Sequence, residues 1–307
     1  MLNDQSPQFL IKPGKFLTII SICFLMLLSC SKEIEIDTRD FIKSPVVNSV
    51  FNSKKPFFFH LSYTQVPKDI YTKMNDSIHV ILFEDNIKIL DSKILSDTLA
   101  TKIYPSWGNY KLKVKIAGYD TLVAYDTIPQ RVEIDDATIR LGVALDNYGD
   151  KIAEVGVTFT DPPHKKNYYE VILGNVSLNE IWGYLPIDSE RELIDSVLIN
   201  EGDKNYFPTT FFFSDEMFDG QEYTLRFRHR LTDSFQQRVV LRSVSRNYYM
   251  YRKYWTRHYF NQPTHEFGFE GLIYKGEAIN MFTNIVNGYG IFAGYNESMS
   301  NEFRVLK

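Results

Sequence analysis

The sequence predicts a mainly β protein: two antiparallel β-sandwich domains of immunoglobulin or transthyretin type, the second with an insertion and one late helix. Three observations carry this reading. Apolar residues alternate with period two from Pro45 onward, turn-forming residues interrupt the alternation at short intervals, and only the stretch from Ser245 to Phe260 repeats its aromatics at helical spacing.

In the first predicted domain, residues 45–129, Phe57, Phe59, Leu61 and Tyr63 fall on one strand face, and Leu112, Val114 and Ile116 alternate with Lys111, Lys113 and Lys115. Such alternation marks a strand with one face in a core and one in water. Further strands are expected at Ile78 to Phe83 and Thr121 to Ala124, with turns at Trp107-Gly108-Asn109 and Gly118-Tyr119-Asp120. The domain closes at Ile128-Pro129, because proline cannot donate to a ladder.

The second predicted domain, residues 130–307, reopens at Val132 and continues through Val155 to Thr160 and Tyr168 to Leu173 around an Asp161-Pro162-Pro163 turn. Its clearest strand is Glu222 to Arg230, after an Asp219-Gly220 turn, where Tyr223, Leu225, Phe227 and His229 alternate with Thr224, Arg226, Arg228 and Arg230. Between the strands near Leu173 and Phe211 lies an insertion, about 174–210, of weak periodicity. A loop of that length usually carries function or short elements, so Trp182 and Tyr184 within it are candidate binding residues. After Val239 to Leu241 comes the helix, with Tyr248, Tyr251, Trp255 and Tyr259 at helical spacing and Pro263 as a stop. Short strands are expected to resume around a hairpin turn at Asn287-Gly288-Tyr289-Gly290.

Composition bounds the function classes. The chain has 307 residues, 44% of them hydrophobic, which suits about two domains with cores and does not suit disorder or coiled coil. A net charge of -4 gives no general attraction for nucleic acid, so any basic surface has to be local.

Residues 1–29 read as a signal peptide. Lys12 and Lys15 precede the uncharged run Phe16 to Leu28, which is too short for a stable membrane span. The run ends in Leu27-Leu28-Ser29-Cys30, the pattern of a bacterial lipobox, which makes Cys30 the lipidation site and residues 30–44 a lipidated tether. Cleavage there removes Cys23, so disulfides, cysteine-ligated metal and cysteine nucleophiles are excluded together. Lys32, Glu33, Glu35 and Asp37 in the tether resemble the acidic signal that follows the cysteine in outer-membrane lipoproteins of Bacteroidetes type, displayed at the cell surface.

Catalytic and metal signatures are missing. The six histidines form no HExxH, HxH or helical i, i+4 pair, and the stretch from Asp146 to Asp150 fails the calcium-loop pattern. There is no GxSxG, SxxK or phosphate-cradling glycine motif, so no catalytic residue, metal ligand or cofactor is assigned. Asp215, Glu216 and Asp219 in SDEMFDG read as a polar loop before a turn, with paired hydrolytic carboxylates as the rival reading. From Ser234 to His265 six Arg or Lys residues mix with aromatics and no acid. The plain reading is a helix packing Tyr248, Tyr251 and Trp255 on a sheet with its arginines in water; the sharper one makes Arg252 and Trp255 part of a docking face for an acidic partner or lipopolysaccharide phosphate.

The lipobox, IAGYDT with YDTIP, TFTDPPHKKNYYEV, FSDEMFDG, SVSRNYYMYRKYW and NIVNGYGIFAGYNES together resemble family 4249 of the domains of unknown function. Pro45 to Val50 departs from the opening strand usual in that family. The resemblance implies an outer-membrane lipoprotein, of a kind often encoded beside TonB-dependent transporters, and carries over no ligand or catalytic residue. The expected role is binding, as an accessory of such a transporter; a hydrolase acting on glycan or peptide and a stand-alone ligand-binding lipoprotein are the alternatives.

Overall fold

A computed structural model describes residues 41–66, 74, 76–145, 149, 151–175, 188–189, 210–230, 237–261, 279–301 and 303–306. In chain order the strands are β1 (Pro45–Phe51), β2 (Phe58–Tyr63), β3 (Ile78–Glu84), β4 (Ile87–Ile94), β5 (Thr98–Ala100), β6 (Asn109–Ile116), β7 (Leu122–Thr127) and β8 (Asp136–Leu145). They continue as β9 (Lys151–Thr160), β10 (Tyr168–Asn175), β11 (Asp188–Ser189), β12 (Phe211–Ser214), β13 (Glu222–Arg230) and β14 (Gln237–Val244). Helix α1 (Arg246–Asn261) follows, then β15 (Tyr289–Met299) and β16 (Arg304–Leu306).

Period-two patterning becomes three sheets: seven strands in the order β12-β10-β14-β15-β1-β2-β5, five in the order β11-β13-β9-β8-β16, and four in the order β4-β3-β6-β7. Two large cores lie between them. In the first, Val47, Phe51, Phe59 and Leu61 of β1 and β2 meet Ile78, Val80, Leu112 and Val114 of the four-stranded sheet. In the second, Tyr169, Val171, Phe213, Val239 and Leu241 meet Val155, Val157, Leu225 and Phe227 of the five-stranded sheet. The arrangement is thus sandwich-like twice over, with the seven-stranded sheet serving as one layer of both. Residues Lys43–Lys307 cluster as a single compact unit.

Strand β15 makes the sheet continuous. Its first half pairs parallel with β1, from Val46↔Tyr289 to Phe51↔Gly294, and its second half pairs antiparallel with β14, from Val244↔Tyr295 to Val240↔Met299. Asn287-Gly288-Tyr289-Gly290 is therefore not a hairpin turn. Val286 bridges back to Val123, and β15 starts at Tyr289 as a partner of a strand more than 200 residues earlier in sequence. Tight packing fixes two glycines in β15. A Cβ on Gly290, whose φ is +110°, would lie 2.1 Å from the Val47 carbonyl oxygen, and one on Gly294 would lie 2.5 Å from that of Thr127. A second parallel pair joins β16 to β8, so the seven- and five-stranded sheets each carry one parallel pair in a pairing that is otherwise antiparallel, as expected, and the four-stranded sheet is antiparallel throughout.

The cores are aromatic. Phe51 lies with its ring centroid 4.9 Å from Phe57, 5.3 Å from Tyr110 and 4.7 Å from Phe292. Phe159 is ringed by Tyr169, Phe213, Phe218 and Tyr223. Each such pair adds on the order of 1 kcal/mol beyond its buried area, in a fold whose predicted mature form has no disulfide.

Candidate functional site

Helix α1 lies on the face of the seven-stranded sheet that points away from the second core, and its docking is polar as well as apolar. Ser245 is its N-cap: the hydroxyl oxygen accepts the Tyr248 N–H at 3.1 Å, which satisfies one of the orphan donors of the first turn. The same hydroxyl donates to Asp126 Oδ2 of β7 at 2.6 Å. Gly294 N–H also reaches Asp126 Oδ2, at 2.9 Å, so one carboxylate ties β7, β15 and the helix start together. Burial pushes the Asp126 carboxyl up to about 7 against the opposing effect of these donors.

Beneath the helix a single row crosses the sheet. Strand register places Phe212 beside Glu170, Glu170 beside Arg242 and Arg242 beside Glu297. Glu170, only 1% exposed, accepts at Oε2 from Arg242 Nη1 at 3.0 Å and Tyr248 Oη at 2.7 Å. Its Oε1 accepts from Thr210 Oγ1 at 3.2 Å and pairs with Arg252 Nη2 at 3.3 Å. Tyr248 and Arg252 are four residues apart, so both descend from one helix face onto the same carboxylate. Arg242 continues the row to Glu297 Oε2 at 3.2 Å, with its guanidinium 4.7 Å from the Tyr295 ring centre. Burial alone would raise the Glu170 carboxyl, but Arg242, Arg252 and the Tyr248 hydrogen bond outweigh it and hold the group below its ordinary value. Tyr248 is pushed upward, by burial first and by Glu170 second. Glu170 is accordingly an ionised anchor with all its acceptor sites engaged, poorly suited to taking up a proton.

The second polar cluster lies at one end of the second sandwich. Asp161, Asp215 and Asp219 each offer a carboxylate oxygen, all within 4.8 Å of one another. Oxygen donors at this spacing are of the type a hard divalent cation accepts. Most of them already hold the loops. Asp161 accepts from the Tyr169 hydroxyl, from Asn167 Nδ2 at 3.2 Å and from Gly220 N–H at 2.9 Å. Asp215 accepts Asn167 N–H at 2.6 Å, and Asp219 accepts His164 N–H at 3.2 Å. Burial raises the Asp215 carboxyl, the Asn167 N–H opposes it, and neighbouring Asp161 and Asp219 push it further up.

Cys30, Trp182 and Tyr184 lie outside the described residues, as do most of the insertion and the Asp146–Asp150 stretch apart from Gly149. Arg252 turns inward to Glu170 and stacks 5.0 Å from the Phe212 ring centre. Trp255 is 37% exposed, with the Arg252 guanidinium 5.2 Å from its ring. Asp215 and Asp219 come together with Asp161, while Glu216 points away to pair with Lys166. Sequence reasoning missed Glu170, Arg242 and Asp126. The signal for the first two was a charged residue on each of two strands otherwise rich in Val, Ile and Leu, NYYEVIL and VVLRSV. Among the described residues no helix is long and apolar enough to cross a membrane.

A family model described as Domain of unknown function (DUF4249) matches residues 31–301. No curated protein matches the chain.

Proposed function

The chain belongs to the DUF4249 family, and from that premise we propose that it is an outer-membrane lipoprotein with a binding role, an accessory component of a TonB-dependent transport system. The observation that carries the reading is the position of Cys30: it ends the basic and apolar leader, and the family-matched region starts at the next residue. A diacylated cysteine contributes about 0.8 kcal/mol per buried methylene, so its chains hold the protein on a bilayer for its working life. The transporter partner rests on the family resemblance, and a double sandwich is a scaffold suited to docking. Lipidation is tested by the mass of the N-terminal peptide and by membrane fractionation of Cys30→Ala, which should move to the soluble fraction. Association is tested by what co-purifies in mild detergent.

A second reading, hydrolysis of glycan or peptide, draws on Asp215, a buried carboxyl raised by its surroundings beside Asp161 and Asp219. Turnover on a glycan or peptide panel that disappears in Asp215→Asn, with the fold retained, would establish it. Unchanged turnover in that variant would end it.

A further inference from the structure

The outer face of the four-stranded sheet concentrates positive charge that the helix and the acidic clusters do not use. Strand register aligns Lys93, His79 and Lys115 across β4, β3 and β6, then Asp91, Ile81 and Lys113, then Lys88, Phe83 and Lys111. On β7 the same face continues with Val123 beside Lys113 and Tyr125 beside Lys111. Five lysines thus share the face with one aspartate, in a chain whose net charge is -4. Asp91 is already taken, 2.6 Å from both Lys88 Nζ and His79 Nε2. Lys93, Lys111, Lys113 and Lys115 have no acidic partner within 4.0 Å among the described residues. Lys111 and Lys113 lie over aromatic rings instead, at 5.1 Å from Tyr125 and 5.6 Å from Phe83. Beside the β6 lysines, along the β7 edge of the face, the surface is apolar and open: Tyr125 is 56% exposed, and Val286, bridged to Val123, is 57% exposed.

We propose that this face docks on an anionic bilayer surface, with its lysines among phosphate-bearing headgroups and Tyr125 and Val286 at the boundary of the acyl region. Charge complementarity is the first argument, since isolated basic side chains near an anionic leaflet each add about 1 kcal/mol of attraction. Residue type is the second. Lysine is a point charge suited to a diffuse field, whereas a single bound phosphate or carboxylate favours the planar fork of arginine, and this face has no arginine. Shape is the third, because a sheet face offers its charges in a broad array and not in a pocket. The proposal rests on the lipid anchoring above for one point only. Fifteen residue steps separate Cys30 from Pro45, at most about 50 Å of chain, so the bilayer is the surface within reach.

The test uses the full mature chain with Cys30→Ser, so that no lipid inserts, and flotation with vesicles of equal parts phosphatidylglycerol and phosphatidylcholine. Binding should be present with these, absent with pure phosphatidylcholine and lost at high salt. Lys111→Gln/Lys113→Gln/Lys115→Gln should weaken it on the order of a hundredfold, whereas Lys55→Gln/Lys165→Gln/Lys166→Gln, exposed lysines elsewhere, should leave it unchanged. No flotation, equal flotation with neutral vesicles, or equal loss in the two triple variants would overturn the proposal. Retention on heparin without flotation would also overturn it, in favour of a soluble polyanion. Because the assay contains neither lipid anchor nor transporter, its failure leaves the anchoring proposal standing, and success does not depend on it.

Discussion

Replacing Glu170 by Ala removes the one negative charge that faces both Arg242 and Arg252. Glu170 is 1% exposed, and the two arginine side chains are 17% and 25% exposed. Removing one member of a buried ion pair typically costs 3–5 kcal/mol, because the remaining charge stays desolvated. Here Arg242 keeps Glu297 at 3.2 Å, which offsets part of the loss, but Tyr248 and Thr210 also lose their acceptor. The expected cost is about 3–4 kcal/mol, or a fall in melting temperature of about 10 °C for a unit of this size. Glu170→Gln keeps an acceptor for Tyr248 and should cost roughly half as much. Thermal unfolding followed by circular dichroism, with urea titrations for free energy, measures both. The sign with pH follows from the carboxyl being held below its ordinary value. This stabilisation is present above about pH 4.5 and is lost as pH falls through the lowered folded value, so the wild type and Glu170→Gln should converge in acid. If Glu170→Ala unfolded within about 1 kcal/mol of wild type at pH 7, in the range of an exposed pair, the row would not be what seats the helix.

Asp126 works in the opposite sense. Its carboxyl is raised to about 7, so its favourable contribution is complete below the unfolded value of about 4 and is lost as pH rises to about 7; Asp126→Asn should flatten the stability profile between about pH 4 and 7, read from melting temperatures across that range. Asp161→Ala leaves the Tyr169 hydroxyl, Asn167 and Gly220 N–H without their acceptor and should cost about 2–4 kcal/mol in urea unfolding. Gly290→Ala must place a methyl where the Val47 carbonyl stands; a loss of about 3 kcal/mol or more, or no soluble protein, is expected, while Gly118→Ala, at φ +80° with nothing within 4 Å, should cost only about 1 kcal/mol.

Local patterning is legible where one strand face meets a core. Lys111 to Ile116 and Glu222 to Arg230 follow from alternation alone, and the helix expected from Ser245 to Phe260 is Arg246–Asn261 with Ser245 as its cap. Pairing is another matter. That β15 would join β1 in parallel, and so fuse two sandwiches through one sheet, depends on contacts between residues more than 200 apart, which periodicity does not encode. The same limit hid the Glu170–Arg242–Glu297 row. Each residue is visible as a charge in its own segment, but their alignment exists only once β10, β14 and β15 are in register. Arg252 illustrates the reverse error of reading charge as surface: its place in a basic, aromatic segment suggested docking, whereas the acid it meets comes from β10. The three aspartates were half visible. Asp215 and Asp219 are neighbours in sequence, while Asp161 joins them from the far end of β9.

The most direct test of the central claim is isolation of the full-length, lipidated chain from its own outer membrane in mild detergent, with identification of co-purifying proteins by mass spectrometry and Cys30→Ala as the control. The expected result is a TonB-dependent transporter in stoichiometric yield from the wild type and its loss from the control. A lipidated chain that is recovered alone, while membrane integrity and the transporter's presence are verified in the same extract, would contradict the accessory role.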